Sequence, residues 1–156
     1  SMGGAILTQL LYHAPNRILS AIYGGWGVSE FQSVYKNQIP PDDKATVAAE
    51  QAESNAGAYV RSQSNPNTLA MFAIAQNAPW NSYEERSVNL NQVQQPVLAI
   101  IGQYDEPNAK MSRMRRELSN FEGVVLQRKS HLTAVTVGYM PPLYLETLAE
   151  FIRNND

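Results

Sequence analysis

The chain has 156 residues, 44% of them hydrophobic, a formal net charge of −2 at pH 7 and no cysteine. It is long enough to bury one ordinary core, its near-balanced charge gives no reason to expect nucleic acid or an anionic membrane surface as partner, and the missing thiols exclude disulfides, thiolate zinc sites and cysteine nucleophiles. No apolar run approaches the roughly twenty residues that span a bilayer, and the start lacks a signal-peptide pattern, which leaves the compartment open with the cytoplasm favoured.

In chain order, Ile6, Leu7, Leu10 and Leu11 recur at helical spacing and predict a helix ending near Pro15. Residues 17–23, nearly all apolar around Ile18, Leu19, Ala21 and Ile22, predict a strand covered on both faces and ended by Gly24, Gly25 and Gly27. From Trp26 to about Val88 the composition shifts to glutamine, asparagine and alanine, which predicts a helical insertion. Asp42 and Asp43 stand where N-terminal helix carboxylates belong, before Val47, Ala48, Ala52, Ala56 and Tyr59. A second helix follows Asn65-Pro66, with Leu69, Phe72, Ala73 and Ile74 as its buried stripe. Both helices read equally as ordinary core packing or as a substrate-facing lid.

Pro96 then opens the strongest strand, a continuous apolar run through Ile101 left by Gly102, of the kind that lies inside a parallel sheet. Residues 108–120 predict a charged surface helix with Arg113, Arg115 and Arg116 on its solvated face, residues 123–128 a short strand, and residues 142–153 a terminal helix with Leu145, Leu148, Ala149 and Ile152 on one side. Strand, helix, strand, helix after an insertion gives an α/β layered fold of about three parallel strands with right-handed crossovers.

Hydrolysis of an ester by a serine needs an exposed hydroxyl, an imidazole to take its proton and a carboxylate to orient that imidazole. Ser1, Asp105 and His131 offer one candidate each, in the order serine, acid, histidine. Asp105 lies three residues beyond the strand-ending Gly102, at the carboxyl edge of the sheet where open α/β folds place ligands. As a plain structural residue it would instead cap the next helix; Glu106 is the lesser substitute. The only other histidine, His13, falls in the turn after the first helix.

These segments resemble the α/β-hydrolase family. Ser1-Met2-Gly3-Gly4 is similar to the second half of its G-x-S-x-G nucleophile elbow. Residues 90–105 resemble the pre-strand turn, the strand and the G-x-x-D acid loop, and Gln127-Arg128-Lys129-Ser130-His131 resembles the loop that carries the catalytic histidine. The resemblance implies the C-terminal part of an α/β-hydrolase fold, with residues 1–25 and 89–156 as partial core and 26–88 as a helical cap. It implies a serine hydrolase of ester or related acyl bonds in small molecules, with Ser1, Asp105 and His131 catalytic and the backbone N–H of Met2 as one oxyanion donor; no cofactor is expected, and two distant histidines among scattered carboxylates lack the ligand spacing of a metal site.

Only about the last half of the family's domain is covered. The strand that aims the nucleophile and the second oxyanion donor are then expected outside the chain; losing one such donor typically costs about 10² to 10³ in turnover, so the isolated chain is expected to be a poor catalyst. The strand near Ile18 would present an open edge that recruits an identical copy, as a homodimer or larger homo-oligomer, or a complementing N-terminal fragment. Three alternatives stay open. The chain is a non-catalytic remnant that oligomerises or binds through that edge, Ser1 is an N-terminal nucleophile activated by its own amine, or Ser-Met is the residue of a cleaved tag. Trp26, Phe31, Tyr35, Met71, Phe72 and Trp80 could line an acyl pocket or simply fill core.

Overall fold

The computed structural model describes residues 2–29, 38–77 and 88–155. Its centre is a three-stranded sheet, β1 (Ala21–Gly24), β2 (Val97–Gly102) and β3 (Phe121–Leu126), in the order β1-β2-β3 and parallel throughout. Helix α1 (Met2–His13) precedes β1; α2 (Lys44–Ser62) and α3 (Pro66–Asn77) lie between β1 and β2; α4 (Pro107–Glu117) joins β2 to β3; the short α5 (His131–Val135) and α6 (Pro142–Asn154) follow. This is the α/β fold that the sequence predicts, with the helical insertion between β1 and β2.

Strand β2 is buried at every position because both of its faces are covered. Its alternation sorts the core into two layers. Val97, Ala99 and Ile101 pack with Tyr23, Leu11, Met111 and Met114 on the α1 and α4 side. Leu98 and Ile100 pack with Leu126, Ala134 and Phe151 on the α5 and α6 side.

Several element readings shift. Strand β1 starts at Ala21 rather than residue 17, because Pro15–Arg17 forms a 3₁₀ turn and Leu19 is 79% exposed. In α1 the buried line is Gly4, Ala5, Thr8 and Leu11, while Ile6 and Leu10 face outward. Gly4 sits there because a Cβ would fall 2.4 Å from the Trp26 ring. In α6 the buried face is Thr147 and Phe151 with Tyr144, one residue out of phase with the stripe expected from Leu145 to Ile152; Leu145 is 61% exposed.

The insertion helices start where the sequence places them. Asp43 caps α2, its carboxylate accepting from Thr46 N at 3.3 Å, and Asn65 caps α3, accepting from Thr68 N at 2.9 Å. Among the described residues of these helices, only Thr46 of α2 is buried, and Val47, Tyr59, Leu69 and Met71 are exposed. The side chains of Phe72 and Ile74 lie outside the described residues.

Candidate active site

Parallel pairing brings the carboxyl ends of all three strands to one edge of the sheet, and the loops that leave them meet there. Gly25 follows β1, Asp105 lies three residues beyond β2, and His131 five beyond β3. After β2 the chain turns sharply, with Asp105 N donating to Gly102 O at 3.0 Å. Tyr104 N donates to Lys129 O at 2.9 Å and Gln103 N to Leu126 O at 2.9 Å, tying the acid loop to the histidine loop. Gly102 lets the two loops touch, since a Cβ there would lie 2.3 Å from Lys129 O.

Asp105 and His131 are brought together. His131 Nδ1 lies 2.8 Å from Asp105 Oδ2, with the aspartate 1% and the histidine 7% exposed. A carboxylate only accepts, so Nδ1 carries the hydrogen that bonds to it. His131 is set by the element that holds it. It is the first residue of α5, not part of a loop, and Ser130 before it forms a capping box with Thr133.

Two further residues belong to this cluster: Lys110, which the sequence did not single out, and Gly25, which it gave only as a strand end. Lys110 is 5% exposed and pairs with the other Asp105 oxygen, Oδ1, while its Nζ also donates to Gly25 O at 3.2 Å. Gly25 has φ +64, and a Cβ on it would stand 3.2 Å from His131 Cε1 and 3.3 Å from Nδ1. Lys110 reaches the site because Pro107 opens α4 and helical side chains lean toward the N-terminus, so a first-turn lysine points back to Asp105. Arg113 corrects the solvated-face reading in the same way. It is buried, bonded to Glu117 at 3.0 Å and to the Val88 carbonyl.

The N-terminus of α2 is braced against this edge. Asp43 accepts from Tyr104 OH at 2.9 Å and from Arg128 Nε and Nη2 at 3.2 and 3.1 Å, and Thr46 Oγ1 donates to Arg128 O at 3.2 Å. The Arg128 guanidinium, with help from Tyr104 and Thr46, holds the Asp43 carboxyl well below the usual carboxylate range despite its partial desolvation. Desolvation and the neighbouring carboxylate push Tyr104 up. About two turns along α2 from Asp43, Glu50 accepts from Ser130 Oγ, the cap of the histidine helix.

The remaining candidates are not brought in. Ser1 lies outside the described residues, as do Phe31, Tyr35 and Trp80, and of Met2 only its place at the start of α1 is described. His13 is exposed and packs edge-on against Tyr12 at 4.9 Å. Of the suggested pocket residues, Trp26 packs on the core and Met71 is exposed. Glu106 accepts from Gln38 Nε2 at 2.9 Å.

No protein-family profile and no curated protein matches the chain. Solved structures do. The whole chain aligns with 64% of the chain of VinJ at a TM-score of 0.55 and 15% identity. Similarly, 97% of it aligns with 62% of proline iminopeptidase from Mycobacterium smegmatis at 0.53 and 14%. Both are α/β-hydrolase fold proteins. The fold is that of an α/β-hydrolase. At these identities the likeness concerns the fold, and the chain spans less than two thirds of either neighbour's length. Among the described residues, no helix is long and apolar enough to cross a membrane.

Proposed function

We propose that the chain is a serine hydrolase of ester or related acyl bonds in small molecules, with Ser1 as nucleophile, His131 as base and Asp105 as the group that orients it. The observation that carries this reading is the buried 2.8 Å contact between His131 Nδ1 and Asp105 Oδ2 at the carboxyl edge of a hydrolase fold. With Nδ1 committed to the carboxylate, Nε2 is the nitrogen that takes the serine proton as the hydroxyl attacks the carbonyl. The same nitrogen returns that proton to the leaving group, and water then releases the acyl group by the reverse sequence. In this reading the Met2 N–H contributes one oxyanion donor, residues 1–25 and 89–156 form the core, and residues 26–88 form a cap over the site.

The chain spans less than two thirds of either neighbour's length, and its activity is expected to be higher when a complementing N-terminal polypeptide is supplied. Release of nitrophenolate from short-chain p-nitrophenyl esters, with and without such a complementing polypeptide, tests the function. Loss of the rate in His131→Ala is the expected result; equal hydrolysis in wild type and variant would refute it.

One observation favours a second reading, a non-catalytic module that assembles through its sheet. Among the described residues β1 has a strand neighbour on one side only, and Leu19 beside it is exposed. Light scattering separates the two: a dimer or larger homo-oligomer that survives at low concentration, with no esterase activity, supports the module.

A further inference from the structure

Among described helices α4 is the most charged, yet it turns a lysine into the interior. Burying an ammonium is expensive unless it is paired and hydrogen-bonded. Lys110 meets both conditions through Asp105 Oδ1 and the Gly25 carbonyl, and it holds them inside a site where Asp105 already faces a second cationic candidate, His131. We propose that Lys110 is a positioning residue that acts through Asp105: as its standing counter-ion, it leaves His131 neutral, protonated on Nδ1 only, and so able to accept a proton. The inference rests on His131 being the base of the proposed hydrolase.

The charge count gives the reason. A buried carboxylate draws a positive charge toward itself. With Lys110 present, Asp105 and Lys110 cancel, and His131 needs only to donate one neutral hydrogen bond. Without Lys110, the partner of Asp105 left among the described residues that can become positive is the imidazole of His131. An imidazolium held there has no lone pair for a serine proton. Among the described residues, the other ionisable groups packed around this edge are Glu50 on α2, which bonds Ser130; Asp43, which bonds both Tyr104 and Arg128; Lys129 on the loop after β3, which bonds the Tyr139 carbonyl; Glu106 before α4, bonded to Gln38; and Tyr144 on α6, against Gly24. Each has its own partner or position away from Asp105, so Lys110 is the cation on that carboxylate.

Gly25 completes the arrangement. Its left-handed backbone turns the carbonyl onto Lys110 Nζ while its missing Cβ leaves room for the His131 ring. One residue thereby ties the lysine and the histidine to the same turn.

The ring-nitrogen NMR spectrum of the full chain labelled with 15N-histidine tests this. With only two histidines, His131→Gln assigns the signals, and the exposed His13 serves as internal control. At neutral pH wild-type His131 is expected to show one protonated and one bare nitrogen. In Lys110→Gln, which keeps a donor and loses the charge, both nitrogens are expected to be protonated; Lys110→Met provides the same test should the glutamine fail to fold. Asp105→Asn added to either variant is expected to restore the neutral ring. A wild-type imidazolium, or a neutral His131 in the folded lysine variants, overturns the proposal. Because the spectrum reads His131 directly, a chain that hydrolyses no ester even with the complementing polypeptide supplied, but shows this pattern, refutes the hydrolase reading and leaves the lysine assignment standing.

Discussion

Replacing Asp105 by asparagine keeps the shape of the side chain and removes the charge that Lys110 faces. The pair is almost wholly buried, with side-chain exposures of 6% for the lysine and 1% for the aspartate, so solvent cannot take over the work of the carboxylate. Breaking a buried ion pair from one side costs about 3–5 kcal/mol, because the remaining charge is stranded or must give up its proton. Typical domain stability is about 5–15 kcal/mol, so this is a large share of the total. At roughly 2–4 °C per kcal/mol for a chain of this size, the midpoint should fall by roughly 6–20 °C. Urea denaturation of wild type, Asp105→Asn, Lys110→Met and the double variant, at equal slope, measures it. The double variant should recover most of the loss, since removing both charges leaves nothing stranded. An Asp105→Asn cost below about 1 kcal/mol, or a double variant weaker than both singles, would refute the buried pair.

Gly25→Ala places a side chain in a left-handed conformation, at a cost of about 1–2 kcal/mol, and presses its Cβ on the His131 ring; thermal unfolding should show the loss, and esterase activity should fall further than stability alone explains. Asp43→Asn retains a helix cap but removes the charge from Arg128 and Tyr104. Since the folded-state carboxyl is held below its ordinary value near 3.9, the folded chain binds fewer protons there than the unfolded one. Its contribution is therefore complete above that range and drains away as pH falls below it. Wild type should be the more stable at pH 7, the difference should vanish in strong acid, and added salt should shrink it because Arg128 is exposed. Equal acid-unfolding curves for the two proteins would contradict this.

How much was legible in the sequence depended on how completely an element is covered. Strand β2 reads plainly because a strand buried on both faces must be apolar at every position. The starts of α2 and α3 read from Asp43 and Asn65 because capping is local chemistry. Which face a helix buries is a tertiary matter. In α6 two apolar stripes lie one residue apart, and the one that carries Phe151, with more area to bury, goes inward and leaves Leu145 outside. Ile18 and Leu19 extend the apolar run backwards from Ala21, but Pro15 starts a 3₁₀ turn and pairing with β2 begins only at Ala21.

The same contrast holds at the site. Asp105 and His131 were readable because each follows a strand end at a spacing that a parallel sheet converts into proximity. Lys110 and Arg113 were not, because charged residues on a polar helix are usually solvated; only the Met111, Met114 and Leu118 spacing beside them marks the inward face. The brace of Asp43 on Tyr104 and Arg128 joins residues 61 and 85 positions apart and left no local signature.

The most direct measurement of the proposed activity is covalent trapping. The chain, alone and with the remaining part of the hydrolase fold supplied, is treated with a fluorophosphonate and digested, and the peptide carrying the adduct is identified by mass spectrometry. A phosphonyl group on Ser1 that disappears in His131→Ala is the expected result. An unmodified Ser1 under both conditions, or labelling that persists without His131, would contradict a serine hydrolase built on the Asp105–His131 pair.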